Sequence, residues 1–279
     1  MRKFYFLNGE ILPADETKLH ISDLAILRGY GIFDFFRTNQ GRPVFIEDHI
    51  ARFNASASEL KLNQAYSKQY ISDYVEKLIA LNGFSESAIK LVMTGGYSPN
   101  GYDLSTPNFA ILVDEFLLPN QAYYKDGVKL ITFQHVREFA KVKSINYLTA
   151  IMTAGKCKES GAIDALFHDG SVVSEVTRSN FFIIKNNIVI TPDKGILKGI
   201  TRAKTLQLAR LHYKVEERAV NLKEIYAADE AFITSSTKRL MPVANIDGTV
   251  IGDGSPGRIT QHLAELFLEV EKSYLAENC

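Results

Sequence analysis

The chain has 279 residues, 46% hydrophobic and 23% charged, a length that excludes one small core and a composition that excludes an intrinsically disordered chain. One large or two medium domains are expected. The 32 basic and 32 acidic side chains cancel, so a nucleic-acid partner, which selects a basic excess or stripe, is not expected. Cys157 falls in a helical stretch and Cys279 is the last residue; so placed, they make neither a disulfide framework nor a metal site. The start, Met1-Arg2-Lys3-Phe4-Tyr5-Phe6-Leu7, is interrupted by Asn8-Gly9 and has no small-residue cleavage site. No run approaches a membrane-spanning length, and a cytoplasmic location is the expectation.

In chain order, Lys3 to Leu7 and Ile11-Leu12 flank Asn8-Gly9, a strong hairpin signal. Gly31 to Thr38 reads as a strand, followed by a turn at Asn39-Gln40-Gly41 into Val44-Phe45. Glu47 to Lys61 reads as a helix with acids in its first turn and Ile50, Phe53, Ala57 and Leu60 at helical spacing. Ser67 to Leu81 is a second helix, and Ala88 to Met93 and Phe109 to Val113 are strands. Residues 1–115 thus form an α+β domain. Residues 116–123, with Pro119-Asn120, form the linker, and residues 124–279 a strand-rich second domain. There Val128 to Phe133 is a strand and Ser144 to Ser160 a helix ended by Gly161. Short strands run from Ala165 to Ile190, a helix covers Thr201 to Leu211, and Ala231 to Thr234 and Pro242 to Ile246 are strands. Ile259 to Leu275 is a terminal helix. There are no repeats.

Four segments stand out: Lys143-Ser144-Ile145-Asn146-Tyr147-Leu148, Glu175-Val176-Thr177-Arg178-Ser179-Asn180-Phe181, Leu197-Lys198-Gly199-Ile200-Thr201-Arg202 and Thr234-Ser235-Ser236-Thr237. Together with His49-Ile50-Ala51-Arg52 they resemble, in order and spacing, the signature blocks of the class IV (fold type IV) pyridoxal 5′-phosphate enzymes. That family includes D-amino-acid aminotransferases, branched-chain aminotransferases and aminodeoxychorismate lyases. The resemblance covers nearly the whole chain. It implies a two-domain α+β fold, a smaller N-terminal domain and a larger strand-rich C-terminal one, a homodimer, and pyridoxal phosphate as cofactor.

It also distributes roles. The cofactor needs a lysine to hold it as an imine and to shuttle the α-proton. The family's lysine stands two residues before an Ile/Leu-Asn pair, which selects Lys143 over Lys141. A carboxylate keeps the pyridine nitrogen protonated, and the resemblance assigns it to Glu175. The phosphate falls to the helix start at Ile200 and Thr201, to Ser236 or Thr237, and to Arg52.

Two family features are missing. The D-amino-acid branch carries an Arg-x-His element where this chain reads Thr94-Gly95-Gly96-Tyr97-Ser98-Pro99-Asn100-Gly101-Tyr102, and the branched-chain branch carries a strand containing Phe-Glu-Gly where the strand here is Gly31-Ile32-Phe33-Asp34-Phe35-Phe36-Arg37. A substrate carboxylate in a partly dry pocket still needs a cation. Arg28 and Arg178 are the expected substitutes, with Arg37 a third candidate, and Tyr30 and Phe33 as pocket walls. The expected reaction is transamination between a small amino acid and a 2-keto acid, of the D-amino-acid type. The alternatives are branched-chain L-amino-acid transamination, an aminodeoxychorismate lyase, and a catalytically silent scaffold. No metal is expected.

Overall fold

The computed structural model describes residues 2–63 and 66–277, so Cys279 lies outside the described residues. The chain divides into two compact units, Met1–Leu117 with Val142–Asn146, and Leu118–Lys141 with Tyr147–Cys279.

The first unit is built on a six-stranded antiparallel sheet. Its order is Glu10–Pro13, Phe4–Leu7, Phe109–Glu115, Ser87–Thr94, Gly31–Asn39 and Arg42–Pro43. Asn8 and Gly9, both at positive φ, make the hairpin turn between the first two strands in the chain. The helices Ile46–Glu59 and Lys68–Asn82 cover one face. Ser67 caps the second through its hydroxyl, which accepts from the Tyr70 amide at 3.1 Å. Ile50, Phe53 and Ala57 from one helix, and Ile71, Val75 and Leu78 from the other, pack on Phe6, Ile32, Phe36, Leu91 and Phe109 of the sheet. Because side chains alternate across a strand, Ile32, Asp34, Phe36 and Thr38 share the helix-facing side, while Phe33, Phe35 and Arg37 share the other.

The second unit holds a ten-stranded mixed sheet. Its order is Lys214–Glu217, Ile188–Thr191, Asn180–Lys185, Glu230–Ser235, Arg239–Ile246, Val128–Gln134, Asp164–His168, Val172–Val176 and Val220–Asn221, with Thr249–Val250 paired to Arg239–Ile246. Its core includes Leu130, Leu166, Val176, Phe181, Ile183, Ile233 and Met241. Helices Leu148–Ser160, Ile200–His212 and Arg258–Glu277 belong to this unit. Cys157 is buried and unpaired. No helix among the described residues is long and apolar enough to cross a membrane.

Two features differ from the sequence-based expectation. The helix expected from Ser144 begins at Leu148, because residues 143–145 spend their backbone groups on a strand instead. Phe33 N donates to Lys143 O at 2.9 Å and Ile145 N to Gly31 O at 3.0 Å. For the same reason residues 142–146, expected in the second domain, cluster with the first unit, where Val142 is buried in the core. The close approach needs a glycine at 31. A Cβ there would lie 2.7 Å from Met93 O and 3.0 Å from Ile145 Cδ1.

Candidate active site

In the first unit the geometry centres on Asp34, which is fully buried. Its carboxylate accepts from Arg52 Nε and Nη2, each at 2.8 Å, and from His49 Nδ1 at 2.7 Å. His49 and Arg52 lie three residues apart on helix Ile46–Glu59, so both reach the same strand position. Burial pushes the Asp34 carboxyl up, but Arg52 and then His49 outweigh it and hold it below the usual carboxylate range. The His49 imidazole is held below its ordinary range by burial, against Asp34 and with the help of the Arg52 and Lys143 charges. The neutral ring therefore donates its Nδ1 proton to Asp34. Arg52 thus arrives pre-oriented, its side chain only 12% exposed.

A pH dependence follows. The unfolded chain protonates this imidazole near 6.5, at pH values where the folded one stays neutral, so stability is full above that value and is lost as pH falls below it. Urea midpoints are expected to fall between about pH 6.5 and about pH 5, and His49→Gln to flatten part of that slope. An unchanged slope in the variant would show that His49 does not titrate this way.

Lys143 lies beside this cluster. Besides the strand bonds, its amide donates to Ser56 Oγ at 3.3 Å. Its Nζ lies over the Phe33 ring, 4.6 Å from the centroid, within cation–π range. Tyr30 donates its hydroxyl proton to Leu60 O at 2.7 Å. Arg37 is buried, with Nη1 on Thr38 O at 2.9 Å and the guanidinium over Phe116. Arg28 is exposed and donates to Leu27 O at 2.8 Å.

In the second unit Glu175 is buried on strand Val172–Val176. Its Oε1 accepts from Arg137 Nη1 at 2.7 Å; its Oε2 accepts from the Leu197 amide at 2.9 Å and Asn180 Nδ2 at 3.2 Å. Three donors hold the side chain in one orientation. Asn180 Nδ2 also donates to Leu197 O at 2.8 Å, which ties Glu175 to the turn before helix Ile200–His212. At that turn Gly199 is the N-cap, and no side chain caps the helix. A Cβ on Gly199 would sit 2.2 Å from Asn180 Oδ1, so any other residue would dislodge the asparagine that steadies Glu175. Ile200 and Thr201 open the helix there, and Thr201 is buried. Ser236 and Thr237 sit in the turn between Glu230–Ser235 and Arg239–Ile246, where Ser235 Oγ and Thr237 Oγ1 lie 3.1 Å apart. Arg178 is 60% exposed, with Nε 3.7 Å from Asp164.

The structure therefore gathers Lys143, Arg52, Phe33 and Tyr30 in one unit, and Glu175, Ile200, Thr201, Ser236, Thr237 and Arg178 in the other. Sequence reasoning missed Asp34, Arg137 and Asn180. Asp34 had a signal, a single acid inside the apolar strand Ile32-Phe33-Asp34-Phe35-Phe36. Arg137 had none, because its partner is 38 residues away.

A helix start without a side-chain cap can receive a phosphate, and a buried carboxylate held in one orientation can face a protonated ring nitrogen. The family model of class IV aminotransferases matches residues 31–246, and this chain belongs to that family and is an enzyme. It is 32% identical over 268 residues to the D-alanine aminotransferase of Bacillus licheniformis, covering 92% of this chain and 93% of the relative. It superposes on the branched-chain aminotransferase from Thermoproteus uzoniensis with norvaline at TM-score 0.87 and 27% identity, covering 99% and 98% of the two chains. The T.th. branched-chain amino acid aminotransferase with pyridoxamine 5′-phosphate has the same fold, with TM-score 0.89, 23% identity and coverage of 98% and 95%. Class IV aminotransferases depend on pyridoxal phosphate. The residues present fit that group: Glu175 is a buried, fixed carboxylate of the kind a ring nitrogen needs, and the amides that open helix Ile200–His212 carry no side-chain cap.

Proposed function

We propose that this chain transfers amino groups between a small D-amino acid and a 2-keto acid, as a cytoplasmic homodimer with pyridoxal phosphate held covalently by Lys143 Nζ. The observation that carries the cofactor assignment is Glu175, a buried carboxylate held in one orientation by Arg137, Asn180 and the Leu197 amide. The D-amino-acid preference rests on similarity to the Bacillus licheniformis enzyme over nearly all of both chains.

When bound, the cofactor supplies an electron sink for the negative charge left at the substrate α-carbon. Lys143 Nζ would hold the cofactor and, when not engaged with it, would serve as the base that takes up and returns the substrate α-proton. Glu175 would keep a proton on the ring nitrogen. Arg52, the amides of Ile200 and Thr201, and the hydroxyls of Ser236 and Thr237 anchor the phosphate. Arg28 and Arg178 supply positive charge for substrate carboxylates, and Tyr30, Phe33 and Arg37 line the pocket.

The test is a donor–acceptor screen with D-alanine and L-leucine as donors, 2-oxoglutarate and pyruvate as acceptors, and pyruvate release from aminodeoxychorismate as a third arm. D-alanine turnover exceeding L-leucine turnover by tenfold or more, roughly 1.4 kcal/mol of discrimination, is the expected result. L-leucine preference would favour the branched-chain alternative, and pyruvate release without transamination the lyase.

A further inference from the structure

The turn that carries Ser236 and Thr237 closes in a backbone conformation that its own sequence disfavours. Ser236, Thr237 and Lys238 connect strand Glu230–Ser235 to strand Arg239–Ile246, and Ser235 pairs with Arg239 across the closure. Connections this short often rejoin the second strand through a residue in the left-handed region, a place suited to glycine. Here that residue is Arg239, at φ 52°. In this region a Cβ crowds the following carbonyl, so an arginine left to itself would abandon it. A change of φ at 239 would swing the turn residues that precede it.

Two contacts from outside the hairpin hold the turn. Tyr124 donates its hydroxyl proton to Lys238 O at 3.0 Å. Arg239 Nε and Nη2 donate to Glu271 Oε2 and Oε1, both at 2.9 Å. A two-pronged pair fixes direction as well as distance. The Glu271 side chain is only 1% exposed, and a carboxylate so buried resists parting from its cation. Glu271 is itself anchored, because it lies on helix Arg258–Glu277, whose start is tied to the foot of the same hairpin. There Glu230 Oε1 accepts from the Ile259 amide at 3.0 Å, and Oε2 accepts from the Thr260 amide at 2.8 Å and its hydroxyl at 2.7 Å. The strand from Glu230 to Ser235 spans about 16 Å, and the helix from Thr260 to Glu271 spans about the same distance. The helix is thus a strut matched to the strand, fixed at the foot by Glu230 and at the tip by Arg239.

We propose that Glu271 is a positioning residue for the cofactor phosphate, acting through Arg239 to lock residues 235–239 in the conformation in which Ser236 and Thr237 bind it. The inference rests on the phosphate role given above to Ser236 and Thr237 and deepens it by naming what holds them in place. Glu271 itself binds nothing but Arg239 in this role.

The test separates the phosphate from the rest of the cofactor. Pyridoxal phosphate and pyridoxal, which lacks the phosphate, are titrated into the full-length protein after cofactor removal, with affinity read from absorbance. E271M is expected to bind pyridoxal phosphate about tenfold more weakly and pyridoxal as wild type does. That factor is the size expected when a residue with a Cβ must hold a left-handed conformation unaided. Added to E271M, R239A should keep the loss. R239G should bring pyridoxal phosphate affinity back to within about threefold of wild type, because glycine adopts this φ without a clamp. The phosphorus NMR line of the bound phosphate should move in the alanine double variant and return in the glycine one. Equal weakening of both ligands in E271M, or equal affinities in the two double variants, overturns the inference. If the Glu271 variants do not fold, R239K carries the same readout, since it keeps the charge and gives up the two-pronged grip. A loss confined to pyridoxal phosphate is then expected, and wild-type affinity overturns the inference. Failure of the phosphate assignment looks different, because S236A/T237A would then bind pyridoxal phosphate as wild type does.

Discussion

Lys143→Ala is expected to lose transamination by roughly 10³-fold or more, because one amine acts both as covalent anchor and as general base. The geometry makes this a clean experiment. What fixes residue 143 is backbone: its carbonyl accepts from Phe33 N and its amide donates to Ser56 Oγ. Neither bond uses the side chain, so alanine should keep the extended segment and the far-ultraviolet spectrum. The substitution also removes the cation–π contact with Phe33, on the order of 0.5–1 kcal/mol. Borohydride treatment followed by peptide mapping should place pyridoxal phosphate on the peptide containing Lys143 in wild type and nowhere in the variant. Label on Lys141, or activity within tenfold of wild type, would refute the assignment.

The second large effect is expected at Asp34. Removing this carboxylate strands Arg52, which is mostly buried, beside a neutral His49. Breaking a buried ion pair from one side costs about 3–5 kcal/mol, because the remaining charge keeps its desolvation penalty. Asp34→Ala should therefore lose that much in urea denaturation, and Arg52→Met alone should also be costly by leaving Asp34 unpaired. The double variant should recover a large part of the loss, since an apolar pair in place of a buried ion pair is often close to neutral. The double variant should still bind pyridoxal phosphate weakly, because the phosphate has lost its guanidinium. Strictly additive losses in stability would refute the coupling, and wild-type cofactor affinity in the double variant would refute the role of Arg52.

The elements that could be read from the residues are those whose signal is local. The Asn8-Gly9 turn, the helix with Ile50, Phe53 and Ala57 at turn spacing, and the Ser67 cap each lie within a few residues of their cause. The family blocks were legible because they are contiguous. What could not be read depends on pairing across distance. The residues after Lys143 have helical composition, yet Ser144 and Ile145 pair alongside a strand, since Gly31 and Phe33 compete for the backbone groups of this stretch. The partners of Asp34 and Glu175 come from other elements. Arg178 was legible as a cation near the Glu175 block, but its pairing with Asp164 and the neighbourhood of Lys238 depend on how three strands are ordered in the sheet.

The short stretch Val142–Asn146 also bears on how the chain is made. It completes the border of a sheet whose other strands all lie within the first 115 residues. During synthesis, the Gly31 carbonyl and the Phe33 amide emerge long before the residues that pair with them. Until then they form a bare strand border beside exposed apolar side chains, the kind of surface on which unfinished chains stick to one another. A fragment released at residue 117 should therefore self-associate, and adding a peptide with the sequence of residues 141–147 should suppress it. The segment that presents the reactive amine is also the one that seals the sheet, so one folding event would both protect the nascent protein and install its chemistry.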